Sequence, residues 1–456
     1  MEYRLSRRGF LTGTSALAAT APGLGLDKAH ALTGISRVTD MNWKPFMDQY
    51  YDGAVRIVEG IRDTQLGNIG RAMQKAYEIR KNGGTLYSDT TFGHYASFAG
   101  SRDLPGQPWI LPQFDIGSPE ETFDAIKPGD FLLTHVTSEA RKRAKERGVY
   151  VVGVTNNYYP FYKTPPDGLR PDKMALPTTE EMSNMVIDSQ VPWDNGLVDA
   201  PQITEFKLCP STGLAAFSVY WSCTALLATL IGSKGKDTSV EPARRYLDLL
   251  LARFRQIKTD RDKFDRVAKK WADMILAKRP VFMVYGEQFR MSERRVGNPY
   301  VSDAVGAASG SMIGQHYNPD KLTANDMVFI CSMRSRQEQE LEAARMAKRK
   351  GAYVAALCPY ATDGDSSGVR LYKEVDDAFN TYSDESEGVL DIKGFDTPIC
   401  PTAGLTGLLV HWMLMASWTD QMAQRGEMPY YWMGYHEKGG DVYDQVIRPY
   451  FMKRGY

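Results

Sequence analysis

The sequence predicts an α/β protein of two tandem domains, each a mainly parallel sheet flanked by helices on both faces. Three observations predict it. The first is internal repetition, which outranks local patterning wherever it occurs. Cys209-Pro210-Ser211-Thr212-Gly213-Leu214 returns 191 positions later as Cys400-Pro401-Thr402-Ala403-Gly404-Leu405. A valine stands ten residues beyond each cysteine (Val219, Val410) and a tryptophan twelve beyond (Trp221, Trp412), so the two tryptophans are expected in equivalent places. The second is that short apolar runs alternate with helical periodicity, the mark of βαβ units and a parallel sheet buried on both faces. The third is composition. Of 456 residues, 43% are hydrophobic and 11% aromatic, enough for large cores and far from a disordered chain.

Each half reads in the same order. Ile57, Val58, Ile61, Leu66, Ile69, Met73 and Tyr77 recur near the 3.6 period and predict one long helix, which Asn82-Gly83-Gly84 stops. Thr85–Ser88 follows as a short buried strand. In the second half, a helix through Phe264, Val267, Trp271 and Ile275 ends at Arg279-Pro280, and Val281–Tyr285 is the strand. The second strands are Phe131–Thr134 and Met327–Cys331, each opened by an aspartate (Asp130, Asp326). A helix then leads to Gly148 or Gly351 and a third strand, Val149–Val154 or Ala352–Leu357. The first of these connections is 18 residues against 25, about two helical turns shorter. A final helix follows each Cys-Pro turn.

Charge and motifs exclude several function classes. Lys+Arg and Asp+Glu both number 55, and zero formal charge argues against a nucleic-acid partner. No continuous apolar run reaches the ~18 residues expected of a membrane span. Five cysteines do not make a disulfide framework. There is no Gly-x-Gly-x-x-Gly for a dinucleotide and no His-x-x-x-His or Cys-x-x-Cys for a metal, so no cofactor is expected. Asp363-Gly364-Asp365 hints at calcium, but the bidentate glutamate at loop position twelve is missing.

Ser6-Arg7-Arg8-Gly9-Phe10-Leu11, an alanine-rich stretch and Ala29-His30-Ala31 resemble a twin-arginine export signal. The plainer alternative is a basic patch before a short core helix. The resemblance implies a signal over residues 1–31, the twin-arginine translocase as a transient partner, and a periplasmic or extracellular destination. It also implies folding in the reducing cytoplasm, without required disulfides.

The rest of the chain resembles the sugar isomerase (SIS) domain of phosphosugar isomerases. The residues that carry the resemblance are Asn82-Gly83-Gly84-Thr85-Leu86-Tyr87, Gly93-His94, Asp194-Asn195-Gly196, Pro210-Ser211-Thr212, and Ser366-Ser367-Gly368-Val369-Arg370-Leu371. It implies SIS-like domains over residues 42–238 and 243–424. The tail, residues 425–456, is rich in aromatics with no legible core helix and reads as an arm over the domains, over a neighbouring subunit of a homo-oligomer, or as a lip over a sugar site. The implied ligand is a sugar or acidic sugar derivative, and the implied reaction is isomerisation through an enediol, or else β-elimination. The rival expectation is a binding protein that keeps the fold without catalysis.

In such a fold ligands sit beyond the carboxyl ends of the strands. His94 and His135 fall there and are candidate proton carriers, as is Glu287, with Gln288 beside it; a histidine taken alone is more often structural. Thr137 and Ser138 open a helix and could donate to an anion or cap the helix. Ser211, Thr212 and Thr402 carry the same two readings. The family's phosphate cradle, Ser-x-Ser-Gly-x-Thr, is altered to Ser332-Met333-Arg334-Ser335 in the second half. Ser332, Arg334 and Ser335 are therefore candidates for a carboxylate or sulfate rather than a standard phosphosugar. The main cleft is expected at the seam between the halves.

Overall fold

The computed structural model describes residues 42–89, 106–108, 110–111, 119–135, 139–155, 177–192, 196–203, 207–285, 315–361, 368–383 and 388–429. The chain begins with α1 (Phe46–Gly60), which passes through one π-helical turn (Ile61–Gln65) into α2 (Leu66–Lys81). The expected single helix is thus helical throughout but widened in its middle. Thr64 Oγ1 donates back to the Gly60 carbonyl at 2.6 Å, while Gln65 is turned to receive Asp188 N at 3.1 Å. Such local bonds compete with the regular ladder and favour the extra residue in the turn.

Then come β1 (Leu86–Asp89), α3 (Pro119–Ala125), β2 (Phe131–Thr134), α4 (Glu139–Glu146), β3 (Tyr150–Val154) and β4 (Met185–Ile187). The four strands lie in the order β1-β2-β3-β4, all parallel. A short antiparallel pair, β5 (Gly196–Val198) and β6 (Leu208–Pro210), leads into α5 (Thr212–Gly232).

The second half repeats the plan with α6 (Glu241–Lys258), α7 (Arg261–Leu276), β7 (Val281–Tyr285), β8 (Gln315–His316), β9 (Met327–Cys331), α8 (Glu338–Arg349), β10 (Tyr353–Cys358), α9 (Leu371–Glu374) and β11 (Asp377–Asn380). Its sheet runs β11-β10-β9-β7-β8, again all parallel. A bridge between Leu390 and Ile399 stands where β5 and β6 stand, and α10 (Ala403–Gln424) closes the half. The connection after β2 is shorter than its counterpart, as expected. However, α4 has 8 residues and α8 has 12, so the helix loses about one turn rather than two.

The same side-chain devices hold both sheets. Asp130 receives Thr85 N at 2.8 Å and Lys127 N at 3.0 Å, and Asp326 receives Thr323 N at 2.6 Å. Asn184 and Asp376 each accept the amide at the second residue of the third strand, Val151 or Val354, at 2.8 Å. Lys75 lies over the Tyr150 ring at 5.6 Å and Lys270 over the Tyr353 ring at 4.7 Å. These cations cover aromatic edges at the amino ends of the third strands.

Among the described residues, the two final helices are the ones buried on every face. Thr212–Gly232 is long and apolar enough by composition to cross a membrane, although its interspersed Ser and Thr break up any continuous apolar run. Almost all of it lies inside the fold, as a core helix does. Covering such helices takes partners from both halves. Helix α2 packs on α5 and α7 on α10, while the leading helices cross over: α1 lies against α10, and α6 against α5. One hydrophobic core therefore runs through both halves, from Phe46 to Met428. Trp221 and Trp412 are both buried in it, each edge-on to the preceding ring: Tyr220 at 4.9 Å and His411 at 5.1 Å.

Asp420 of α10 fixes the crossing by accepting Trp43 Nε1 at 2.9 Å and Phe46 N, at the start of α1, at 3.0 Å. Replacing it leaves a buried amide and an indole N–H without their acceptor. Asp420→Ala is therefore expected to lose ~2 kcal/mol of unfolding free energy, measured by urea titration.

Candidate functional site

Parallel strands bring their carboxyl ends to one rim, and in both halves that rim is polar although the strands are not. In the N-terminal half, Thr134 and His135 end β2, and both are buried. Beside them, Thr155 Oγ1 donates to Asp188 Oδ1 at 3.2 Å and receives Ser189 N at 2.8 Å. Asp188 Oδ1 also receives Gln190 N at 2.8 Å, and Gln190 takes a left-handed φ of 63°. In the C-terminal half, Asn380 Oδ1 receives Tyr382 N at 2.9 Å, and Tyr382 takes a φ of 51°. A non-glycine residue held left-handed costs about 1–2 kcal/mol, and here the strain occurs at the same point of both halves.

A second strained pair opens the final helices. Cys209 has a φ of 60° and Cys400 one of 63°. Beyond them, Pro210 and Pro401 each offer a carbonyl to a buried tyrosine on the leading helix of their half. Tyr50 donates to Pro210 O at 3.3 Å and Tyr246 to Pro401 O at 2.9 Å. Burial pushes both phenols well above their ordinary pKa, so they stay protonated donors. The five cysteines are all buried and none is in a disulfide. Burial alone pushes the Cys209 and Cys400 thiols out of the reactive range.

The two helix entrances differ in chemistry. Ser211 and Thr402 are the residues that precede α5 and α10, yet neither side chain caps its helix, so the capping reading of these two is set aside. Thr402 Oγ1 instead accepts a hydrogen bond from Arg253 of α6. Ile57 stands in the matching place on α1, seven residues beyond Tyr50 as Arg253 is beyond Tyr246, and it is buried. The C-terminal entrance also touches the N-terminal half. Cys400 N donates to Gly106 O at 3.0 Å, and its thiol to Trp221 O at 3.7 Å. The segment carrying Gly106 is held by Tyr220, whose hydroxyl receives Gln107 Nε2 and donates to Leu111 O, both at 3.0 Å.

At the end of β9, Ser332 N donates to Leu357 O at 2.9 Å, and its hydroxyl folds back on the Arg334 carbonyl while receiving Arg334 N at 3.2 Å. Ser335 is buried, and its carbonyl accepts Leu371 N at 2.7 Å, which carries the buried Arg370 to the same turn. Arg334 is half-buried, and its Nε lies buried without a hydrogen-bond partner among the described residues. The cradle hydroxyl is thus committed to its own turn, and arginines stand beside it.

His135, Ser211, Thr212, Ser332, Arg334, Ser335 and Thr402 are all found at strand ends or helix entrances, and all but the half-buried Arg334 are buried. His94, Thr137, Ser138, Glu287 and Gln288 lie outside the described residues, as do 1–31 and 430–456. Reading the sequence missed Arg253, Tyr50 and Tyr246, which lie on helices far from any motif, and the strained Gln190 and Tyr382. It also missed Arg141, buried on α4 and bonded to Ser183. Tyr50 and Tyr246 stand 160 and 155 residues ahead of the prolines they bond, an unequal spacing that gave no signal in the sequence. Among the described residues, no three of His, Cys, Asp and Glu come together as a metal site.

No family model matches the chain. It is 28% identical over 138 residues to a UPF0309 protein of Halalkalibacterium halodurans, a match covering 29% of this chain and 55% of that protein. The chain thus spans about half the length of the curated relatives it matches. Among solved structures it is similar to the C-terminal domain of glucosamine-fructose-6-phosphate aminotransferase from Francisella tularensis, with 10% identity and a TM-score of 0.41, covering 86% of this chain and 100% of that one. It is also similar to tagatose-6-phosphate ketose/aldose isomerase from Escherichia coli, with 10% identity and a TM-score of 0.39, covering 84% and 96%.

Tyr50→Phe and Tyr246→Phe each strip a buried carbonyl of its donor, so each is expected to lose ~1–2 kcal/mol on urea unfolding, by similar amounts. His411, buried beside Trp412, has its pKa lowered by burial from 6.5 to about 3. The unfolded chain therefore binds the proton more readily between these values. Its contribution to stability is full above about pH 6.5 and falls as pH drops towards 3, by at most about 1.4 kcal/mol per pH unit. Denaturant titrations across that window are expected to show a flatter acid slope in His411→Tyr, which installs the residue of the matching position, Tyr220.

Proposed function

We propose that this is an exported protein of two SIS-like copies that binds a sugar or acidic sugar derivative at the seam between them and isomerises it. The observation that carries the reading is the paired strain: Gln190 with Tyr382, and Cys209 with Cys400, are left-handed at the rim and helix entrance of each half. Strain repeated at matching points supports duplication, and its position at the carboxyl ends of parallel strands supports a ligand there. The cross-bonds from Cys400 to Gly106 and Trp221 support a site that both halves build. The arginines beside Ser332–Ser335 favour an anionic substituent, since a guanidinium matches a planar carboxylate bidentately.

In the isomerase reading, a base takes the proton next to the carbonyl and returns it to the neighbouring carbon. His135 is the described candidate, with His94 and Glu287 as its expected partners. A second reading, binding without turnover, is favoured by one observation: the hydroxyls of Ser332 and Thr402 are already engaged by Arg334 and Arg253. Export through the twin-arginine pathway belongs to the same proposal and rests on Arg7 and Arg8.

The test is a panel of aldoses, ketoses and uronates offered to the full chain in deuterated water. Melting shifts and deuterium at the sugar C2 position are followed by NMR. Deuterium incorporation that falls at least tenfold in His135→Ala, with the melting shift retained, is the expected result. A shift without exchange selects the binding reading, and neither signal with any sugar overturns both.

A further inference from the structure

Away from the strand ends, a cavity of about 330 Å³ opens where the halves meet. One wall is the end of α5 and the linker after it, with Ser233 and Asp237; the next is the first turn of α6, with Glu241 and Arg245. Residues 390–393 of the C-terminal half form the third. The walls are preformed. In the linker, Asp237 N donates to Ser233 Oγ at 3.0 Å, Ser239 N to Asp237 Oδ1 at 2.9 Å and Glu241 N to Ser239 Oγ at 3.1 Å. The loop is seated on α5 through Gly232, where any Cβ would overlap the Lys393 carbonyl oxygen.

The charges around this cavity are of both signs and do not neutralise one another. Arg245 and Lys393 are cationic; Asp237, Glu241 and Asp391 are anionic. Among the described residues no ion pair closes across the space, and the ion pair of Glu241 is with Arg244 of its own helix at 3.8 Å. The apolar part is supplied by Pro242, Leu390 and Ile392. Opposite charges held apart over an apolar surface are complementary to a small molecule that carries both charges and an apolar body.

We propose that this cavity binds a zwitterion, an α-amino acid with an apolar side chain. Its carboxylate meets Arg245 and Lys393, its ammonium meets Asp237 and Asp391, and its side chain rests on Leu390 and Ile392. The volume is at the small end for ligand sites and suits an amino acid better than a nucleotide or an oligosaccharide. The loop that forms the third wall pairs through Leu390 with Ile399, the residue before the strained Cys400, so an occupant bears on the entrance of α10. The proposal uses none of the strand-end residues and stands apart from the sugar reading.

The experiment is isothermal titration of the full chain with L-leucine, L-methionine and L-phenylalanine. At least one is expected to give a saturating isotherm, weakened at least tenfold in Arg245→Ala and in Asp391→Asn. The deaminated acid and the decarboxylated amine of the same compound are expected to bind at least tenfold more weakly. Both side chains are exposed, so thermal melts of the variants should match the parent. No heat from any of the three at millimolar concentration, or isotherms unchanged in both variants, would overturn the assignment. A failed sugar panel leaves it untouched.

Discussion

Helices α5 and α10 are apolar on every face, and a helix of that kind is stable in water only when it is wrapped from all sides. Within each half the second helix covers part of this surface, α2 on α5 and α7 on α10. The remaining face is covered by the leading helix of the opposite half, α1 on α10 and α6 on α5. This crossed arrangement makes the two halves share a core, and it sets where the helix entrances lie. The Tyr50–Pro210 and Tyr246–Pro401 bonds follow from it, since each leading helix is held close to the turn that opens its own half's final helix.

Much of this frame was readable from the chain. The Cys-Pro echo and the aspartate-to-glycine echo gave the order of elements, and the central strands of both sheets fall within a residue or so of their apolar runs, because a strand buried on both faces must be apolar throughout. The edges were harder. Met185–Ile187 and Asp377–Asn380 are short and carry little pattern, and their place is set by pairing with β3 and β10 rather than by composition. The π turn at Ile61–Gln65 preserves the apolar periodicity on either side of it, so the sequence reads straight through. Crossing of the leading helices leaves no local trace, because an amphipathic helix shows which face is buried and not what buries it.

The site was legible as a set of positions but not as a set of contacts. Ser211, Thr212 and Thr402 stand at the predicted helix entrances, and Ser332, Arg334 and Ser335 at the predicted strand end. What their hydroxyls and guanidinium do depends on residues remote in sequence. Arg253 reaches Thr402 from a helix that carries no motif, and Leu371 binds Ser335 from beyond a loop. Cysteine in a left-handed turn is equally hidden, since glycine is the residue that normally marks such a conformation. The surrounding core must over-determine Cys209 and Cys400 for either to persist, and both are fully buried.

Matching frames with unequal chemistry have a consequence for how any duplicated site works. Tyr220 and His411 hold the same place on the final helices, yet only the tyrosine grips the segment with Gln107 and Leu111 through a hydroxyl. Arg253 stands over one entrance and Ile57 holds the matching place on the other helix. A guanidinium near a helix amino terminus adds positive charge to an end that already carries a partial positive charge, which favours an anionic visitor at that entrance. The apolar Ile57 offers no such pull at Ser211 and Thr212. The two entrances therefore differ in charge although their backbone frames match, and under the proposed reading the charged end of a ligand would face α10. Bonds from Cys400 to Gly106 and Trp221 tie the α10 entrance to the middle of α5 and to the segment at Gly106 in the N-terminal half.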